Sequence, residues 1–121
     1  MSDNIFIIGF SGTGKSVVGR RLARRLKLEY VDTDDAVADR AGMAIPDIFA
    51  QEGEEGFRVR EREVLEEVCG RTGTVVSTGG GIALDPENRS LMTRSGVVVC
   101  LEAKPATIYN RLRHHTSEGE S

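Results

Sequence analysis

Four short clusters in this sequence have residue types and spacings that can do chemistry. The first, Gly9-Phe10-Ser11-Gly12-Thr13-Gly14-Lys15-Ser16, satisfies the pattern G-x-x-x-x-G-K-[ST]. Glycines at these positions let the backbone curl until successive N–H groups point inward at phosphate oxygens, and a helix beginning there adds partial positive charge. Lys15 reaches the β- and γ-phosphates as a point charge, and the Ser16 hydroxyl can ligate Mg²⁺. Such a loop specifies a nucleoside triphosphate and leaves the reaction open. The second cluster, Asp32-Thr33-Asp34, supplies one carboxylate to hold Mg²⁺, directly or through water, and another to orient an acceptor hydroxyl and take its proton. A plainer role for Asp34 or Asp35 is to cap the helix that follows. In the third, Arg58 can clasp a carboxylate or phosphate through two parallel hydrogen bonds while Glu61, three residues on, fixes its rotamer. Taken alone, that pair reads as an exposed i,i+3 ion pair. The fourth, Ser77-Thr78-Gly79-Gly80-Gly81, has more glycine than a turn needs and lets backbone amides approach a small ligand.

These clusters need elements to carry them. Ile5-Phe6-Ile7-Ile8 is a continuous apolar run ending at Gly9, the pattern of a strand covered on both faces, and is expected to be the most buried strand. Val18, Leu22 and Leu26 recur at four-residue intervals among Arg20, Arg21, Arg24 and Arg25, which predicts an amphipathic helix over 16–26 with a basic, solvated outer face. Further strands are predicted at 29–32, 74–77 and 96–101. Further helices are predicted at 34–41, from Pro46 to near Gly53, at 55–69, from Pro86, and from Pro105 to about Arg113. On the 55–69 helix, Phe57, Glu61, Val64, Leu65 and Val68 share one face. Apolar strands alternating with helices specify an α/β layered fold with a parallel sheet and right-handed crossovers. Ligands of such sheets bind beyond the carboxyl ends of the strands, so Asp32 and Asp34 are expected to face the same crevice as the phosphate loop.

A length of 121 residues with 39% hydrophobic content fits one domain with a modest core. Sixteen basic against nineteen acidic residues give a net charge of −3, which argues against a bulk electrostatic grip on nucleic acid or an anionic membrane. Aromatic residues at 5% and the absence of Trp argue against a stacking surface for single strands. No apolar run is long enough to span a bilayer, and Met1-Ser2-Asp3-Asn4 lacks the basic start of a secretory signal, so a cytoplasmic location is expected. Cys69 and Cys100 form no C-x-x-C and are expected to be small buried apolar residues. The final residues, 114–121, are polar, and the sequence is expected to stop inside a loop.

Gly12 to Ser16, Asp32-Thr33-Asp34, Phe57-Arg58 with Glu61, and Gly79-Gly80-Gly81 together resemble shikimate kinase, of the nucleoside monophosphate kinase-like P-loop group. The resemblance covers essentially the whole chain, including the intervals between motifs. It implies a sheet of order 2-3-1-4. It implies ATP bound by Gly12, Thr13, Gly14, Lys15, Ser16 and Val17, with Arg111 or Arg113 on the adenine. By the same resemblance Mg²⁺ sits at Ser16 and, through water, at Asp32; Lys15 and Asp34 are catalytic; and shikimate is held by Asp34, Arg58, Gly79, Gly80 and Gly81. The implied reaction converts ATP and shikimate to ADP and 3-phosphoshikimate, in aromatic amino acid biosynthesis. The sequence departs from the family at its carboxyl end, where a lid with an Arg-Pro-Leu-Leu segment, a helix with a second carboxylate-binding Arg, a fifth strand and an adenine-contacting loop find no match. Residues 1–121 therefore read as one incomplete domain, a monomer or part of a fused polypeptide, that is expected to bind nucleotide weakly and to transfer phosphate poorly or not at all. The rival readings are a kinase of another small hydroxy acid, such as gluconate, and a non-catalytic nucleotide-binding module.

Overall fold

The computed structural model describes residues 3–9, 14–79 and 81–101. The elements follow in the order β1 (Asn4–Gly9), α1 (Lys15–Leu26), β2 (Glu29–Asp32), α2 (Thr33–Ala41), α3 (Ile45–Cys69), β3 (Thr74–Ser77), a 3₁₀ turn (Ile82–Leu84), α4 (Pro86–Ser95) and β4 (Gly96–Leu101). The strands form one parallel sheet in the order β2-β3-β1-β4, as the resemblance implies. The helix predicted from Pro105 lies outside the described residues.

Strand alternation explains the continuous apolar runs. Phe6 and Val76 point to one face, where Val37, Ile48, Phe57, Val64, Leu65 and Met92 cover them. Ile7 and Val75 point to the other, against Ala23 of α1 with Val18 and Leu22 beside it. The most buried strand is β3, not β1: all four β3 residues are buried, whereas Ile5, Ile8 and Gly9 are half-buried. The cause is position, because β3 lies between β2 and β1 while β1 neighbours β4, the edge of the described sheet, where Val97 and Val99 are exposed. Cys100 on that edge strand is exposed and Cys69 is half-buried, so neither is the buried apolar residue expected.

Helix α1 also packs differently from its apolar spacing. Its buried residues are Gly19 and Ala23, and Leu26 is 49% exposed. A β-carbon on Gly19 would stand 2.6 Å from Ser77 Oγ and 2.7 Å from Tyr30 Cε1, so the helix meets the sheet through its small residues, with the larger ones flanking the contact. The two helices predicted around Gly53 run as one element, α3, interrupted at Gly53, whose φ of 74° is left-handed and suits a residue without a β-carbon.

Asn4 ties three elements together at the amino end of the sheet. Its buried Nδ2 donates to the Arg71 carbonyl at 2.9 Å and the Val68 carbonyl at 3.4 Å, and its Oδ1 accepts from the Thr74 N–H at 3.0 Å. Leucine at this position keeps the bulk and strands those groups, so Asn4→Leu is expected to lower the unfolding free energy by about 2–4 kcal/mol, read by urea denaturation. A loss below about 0.5 kcal/mol would mean that water or a neighbour replaces the amide.

Candidate active site

The carboxyl ends of β1, β2 and β3 bring the motifs together. Helix α1 begins at Lys15, whose ammonium donates to the Gly9 carbonyl at 2.6 Å and so ties the helix start to the end of β1. One residue on, the Ser16 hydroxyl donates to Asp32 Oδ2 at 2.8 Å. The other oxygen, Asp32 Oδ1, accepts from the backbone N–H groups of Asp34 at 3.0 Å and Asp35 at 3.3 Å. Asp32 is therefore the cap of α2, in place of Asp34 or Asp35, because its extended backbone just before the helix aims its carboxylate at the first free amides.

Asp34 stands half-buried on the first turn of α2. Burial first, and then the neighbouring Asp32, push its carboxyl above the ordinary 3.8, while Lys15 and Arg58 pull it back. A carboxylate so placed is a stronger base than one in water and lies within the field of both cations. Asp34 Oδ1 abuts Gly79, where a β-carbon would come within 2.5 Å of it.

Arg58 and Glu61 are not the exposed pair that their spacing suggests. Arg58 Nη1 meets Glu61 Oε1 at 2.7 Å, and the Glu61 side chain is only 2% exposed against 40% for Arg58. Burial raises the Glu61 carboxyl above its ordinary 4.5, and the bond to Arg58 opposes that rise. Its second oxygen, Oε2, has no hydrogen-bond partner among the described residues and points at Gly79, beside Asp34. The outer nitrogen of Arg58 reaches Glu54 at 3.3 Å, and the guanidinium lies against Gly81 at a position that a β-carbon would occupy. A cleft of about 480 Å³ opens beside Arg58 and Gly81, with Val59, Arg62, Asp85 and Asn88 on its walls, large enough for a small ligand.

The glycine loop departs from expectation at one atom. The Gly79 N–H donates to Thr33 Oγ1 at 2.8 Å, so this amide is already engaged; Gly79 supplies space for Asp34 and Glu61. Gly12, Thr13, Gly80, Arg111 and Arg113 lie outside the described residues. Val17 is exposed on the first turn of α1. Sequence reading passed over three buried hydroxyls beside the motifs. They are Thr33, Ser77, which donates to the Lys15 carbonyl at 2.9 Å, and Thr78, which donates to the Ile7 carbonyl at 3.0 Å. The available signal was a hydroxyl residue adjoining a motif at a strand exit, where unpaired backbone groups must be satisfied.

Among the described residues no group of three His, Cys, Asp or Glu side chains is close enough to hold a metal ion. Mg²⁺ does not need one, since it keeps several waters and takes one or two protein oxygens beside a substrate phosphate. Ser16 Oγ and Asp32 Oδ2, both oxygen donors 2.8 Å apart at the end of the phosphate loop, fit that requirement.

The G-x-x-x-x-G-K-S sequence between β1 and α1 on a parallel 2-3-1-4 sheet, with Asp32 at the end of β2 bonded to Ser16, defines the P-loop kinase class of folds. Within that class the chain belongs to the shikimate kinase family, whose model, described as shikimate kinase, matches residues 11–118. The shikimate kinase of Ralstonia nicotianae is 47% identical over 111 residues, covering 92% of this chain and 58% of that one. The solved shikimate kinase from Acinetobacter baumannii, in complex with shikimate, superposes with a TM-score of 0.81 at 42% identity over 84% of this chain and 56% of that one. A gluconokinase from Sinorhizobium meliloti superposes at 0.54 with 19% identity over 95% of this chain and 66% of that one, which speaks for the shared fold alone. The chain thus spans about six tenths of the length of the curated relatives it matches. Among the described residues no helix is long and apolar enough to cross a membrane.

Proposed function

We propose that this chain forms the nucleotide and acceptor sites of a shikimate kinase, transferring the γ-phosphoryl of ATP to the 3-hydroxyl of shikimate. The observation that carries this reading is the placement of Asp34 against Gly79 and Arg58 against Gly81, with Asp34 in the field of Lys15, Arg58 and the Ser16-bonded Asp32. Arg58 presents a guanidinium to a carboxylate, and Asp34 presents a basic oxygen to a hydroxyl on the same small ring. Lys15 neutralises charge on the phosphates as it is transferred. Ser16 and Asp32 would hold Mg²⁺, which would offset negative charge on the phosphates. Asp34 aligns the acceptor oxygen and removes its proton, and its raised affinity for that proton suits the task. In this reading Gly12, Thr13, Gly14 and Val17 would complete the ATP site, Arg111 or Arg113 would contact the adenine, and Gly80 would contact the ring.

We expect this chain to bind both ligands. The test pairs calorimetry with product detection by phosphorus NMR, using ATP with shikimate and ATP with gluconate. Saturable shikimate binding, and 3-phosphoshikimate as the product formed, support the reading. Preference for gluconate, or ATP binding with no acceptor bound, overturns it. In the same assay Lys15→Met is expected to weaken ATP binding by about ten- to a hundredfold, the worth of one charge-assisted contact. Unchanged ATP affinity in that variant would remove Lys15 from the nucleotide site.

A further inference from the structure

We propose that Thr33, the residue between the two acidic positions, is a positioning residue that fixes the distance between the acidic turn and the glycine loop. This inference rests on the acceptor site proposed above and concerns a side chain that touches no ligand there. Three buried hydroxyls surround the exit of β3, and each is bonded to the backbone of a different site-bearing element. Ser77 Oγ donates to the Lys15 carbonyl at the start of α1, Thr78 Oγ1 donates to the Ile7 carbonyl near the end of β1, and Thr33 Oγ1 at the start of α2 accepts from the Gly79 N–H. The β3 exit is thereby pinned to the phosphate helix, the central strand and the acidic turn together.

Two of these pins are doubled by other contacts. The Thr78 N–H also donates to the Ile7 carbonyl at 3.0 Å, and α1 is held against Ser77 by the close packing of Gly19. Between α2 and Gly79 the Thr33 bond is the hydrogen bond that the structure records. Thr33 is fully buried, so water cannot take its place. Asp34 follows Thr33 directly, and its Oδ1 lies where Gly79 would carry a β-carbon, so any drift of Gly79 toward α2 meets that carboxylate. The 2.8 Å bond therefore sets the space in which an acceptor hydroxyl meets Asp34. Reactivity depends steeply on such spacing, with misplacement near 1 Å worth about a hundredfold.

The test compares Thr33→Val, which keeps the shape and removes the acceptor oxygen, with Thr33→Ser, which restores it. Amide hydrogen exchange of Gly79, followed by NMR, reads the bond with no ligand present. Protection is expected to fall by about tenfold or more in the valine variant and to return in the serine variant. Calorimetry is expected to show shikimate affinity falling by a similar factor in the valine variant, with ATP affinity unchanged and both effects reversed by serine. Unchanged Gly79 protection in Thr33→Val overturns the assignment whatever the ligand. An equal loss of ATP and shikimate affinity also overturns it, because that is the mark of a general structural role. If the unaltered protein binds no shikimate, the acceptor reading fails, and the exchange of Gly79 decides the Thr33 pin by itself.

Discussion

Arg58→Ala is expected to lower the unfolding free energy by about 3–5 kcal/mol at neutral pH, more than an arginine that is 40% exposed would suggest. The loss comes from its partner. Glu61 is buried, its Oε1 is held by Arg58, and its Oε2 has no hydrogen-bond partner among the described residues. Removing the guanidinium leaves a carboxylate in the core with its charge uncompensated. The exposed contact from Arg58 to Glu54 adds little. The folded-state affinity of Glu61 for a proton is already raised by burial, and losing Arg58 raises it further. Between the ordinary 4.5 and the raised value, the folded state binds a proton that the unfolded state has released, so stability falls as pH rises through that window. Below it both states are protonated, and the gap between variant and parent closes to the lost packing. Urea denaturation at pH 4 and pH 7 therefore has a definite pattern, with a large gap at neutral pH and a small one in acid. Adding Glu61→Gln to the Arg58→Ala variant removes the charge and is expected to recover most of the neutral-pH loss. A gap of the same size at both pH values, or no recovery with glutamine, would place the effect elsewhere.

The strands and the motif-bearing turns are legible in the sequence because each rests on a local rule, whereas the strand order is implied by the family resemblance alone. A continuous apolar run marks 5–8 and 96–101, Pro86 follows its Asp85 cap, and glycine spacing marks the phosphate loop. Sequence reading failed where the outcome depends on what lies across the interface. The spacing of Val18, Leu22 and Leu26 assigns α1 a face centred on leucine, but Tyr30 and Ser77 leave room only for Gly19 and Ala23. Nothing in Phe57-Arg58-Val59-Arg60-Glu61 tells whether Glu61 is solvated; the shared face with Val64, Leu65 and Val68 was the better guide, and Glu61 is buried with them. The engagement of the Gly79 amide by Thr33 was equally hidden, since the two are 46 residues apart and meet only because β2 pairs with β3. The nucleotide half of the proposed site is written in the sequence as a contiguous motif. The proposed acceptor half draws on α2, α3 and the β3 exit, which only the resemblance and the fold bring together.

The two described glycines of the 79–81 loop are expected to fail in different ways when given a methyl group. At Gly81 the added carbon would land on the Arg58 guanidinium, within 2.6 Å of Cζ and 2.7 Å of Nη2. That group is the far end of a long, partly exposed side chain, so it swings aside, and because the swing loosens its bond to buried Glu61 the fold is expected to lose part of the Arg58→Ala cost, about 1–3 kcal/mol at neutral pH. The swing removes the clasp from an acceptor carboxylate, and loss of a charge-assisted contact is expected to weaken shikimate binding by about ten- to a hundredfold. At Gly79 the methyl would press on Asp34 Oδ1 at 2.5 Å and Glu61 Oε2 at 3.1 Å, in a buried position. Asp34 is short and cannot retreat without losing its aim, so the transfer step is expected to slow by about 10²–10⁴ while ATP affinity holds. Coupling separates the two. In an Arg58→Met background, Gly81→Ala is expected to add nothing to the shikimate Kd, because the group it displaces is gone, whereas Gly79→Ala keeps its effect on transfer. Additive effects of Gly81→Ala and Arg58→Met on that Kd would show that Gly81 meets the ligand through its own backbone, and the division of labour across the loop would have to be redrawn.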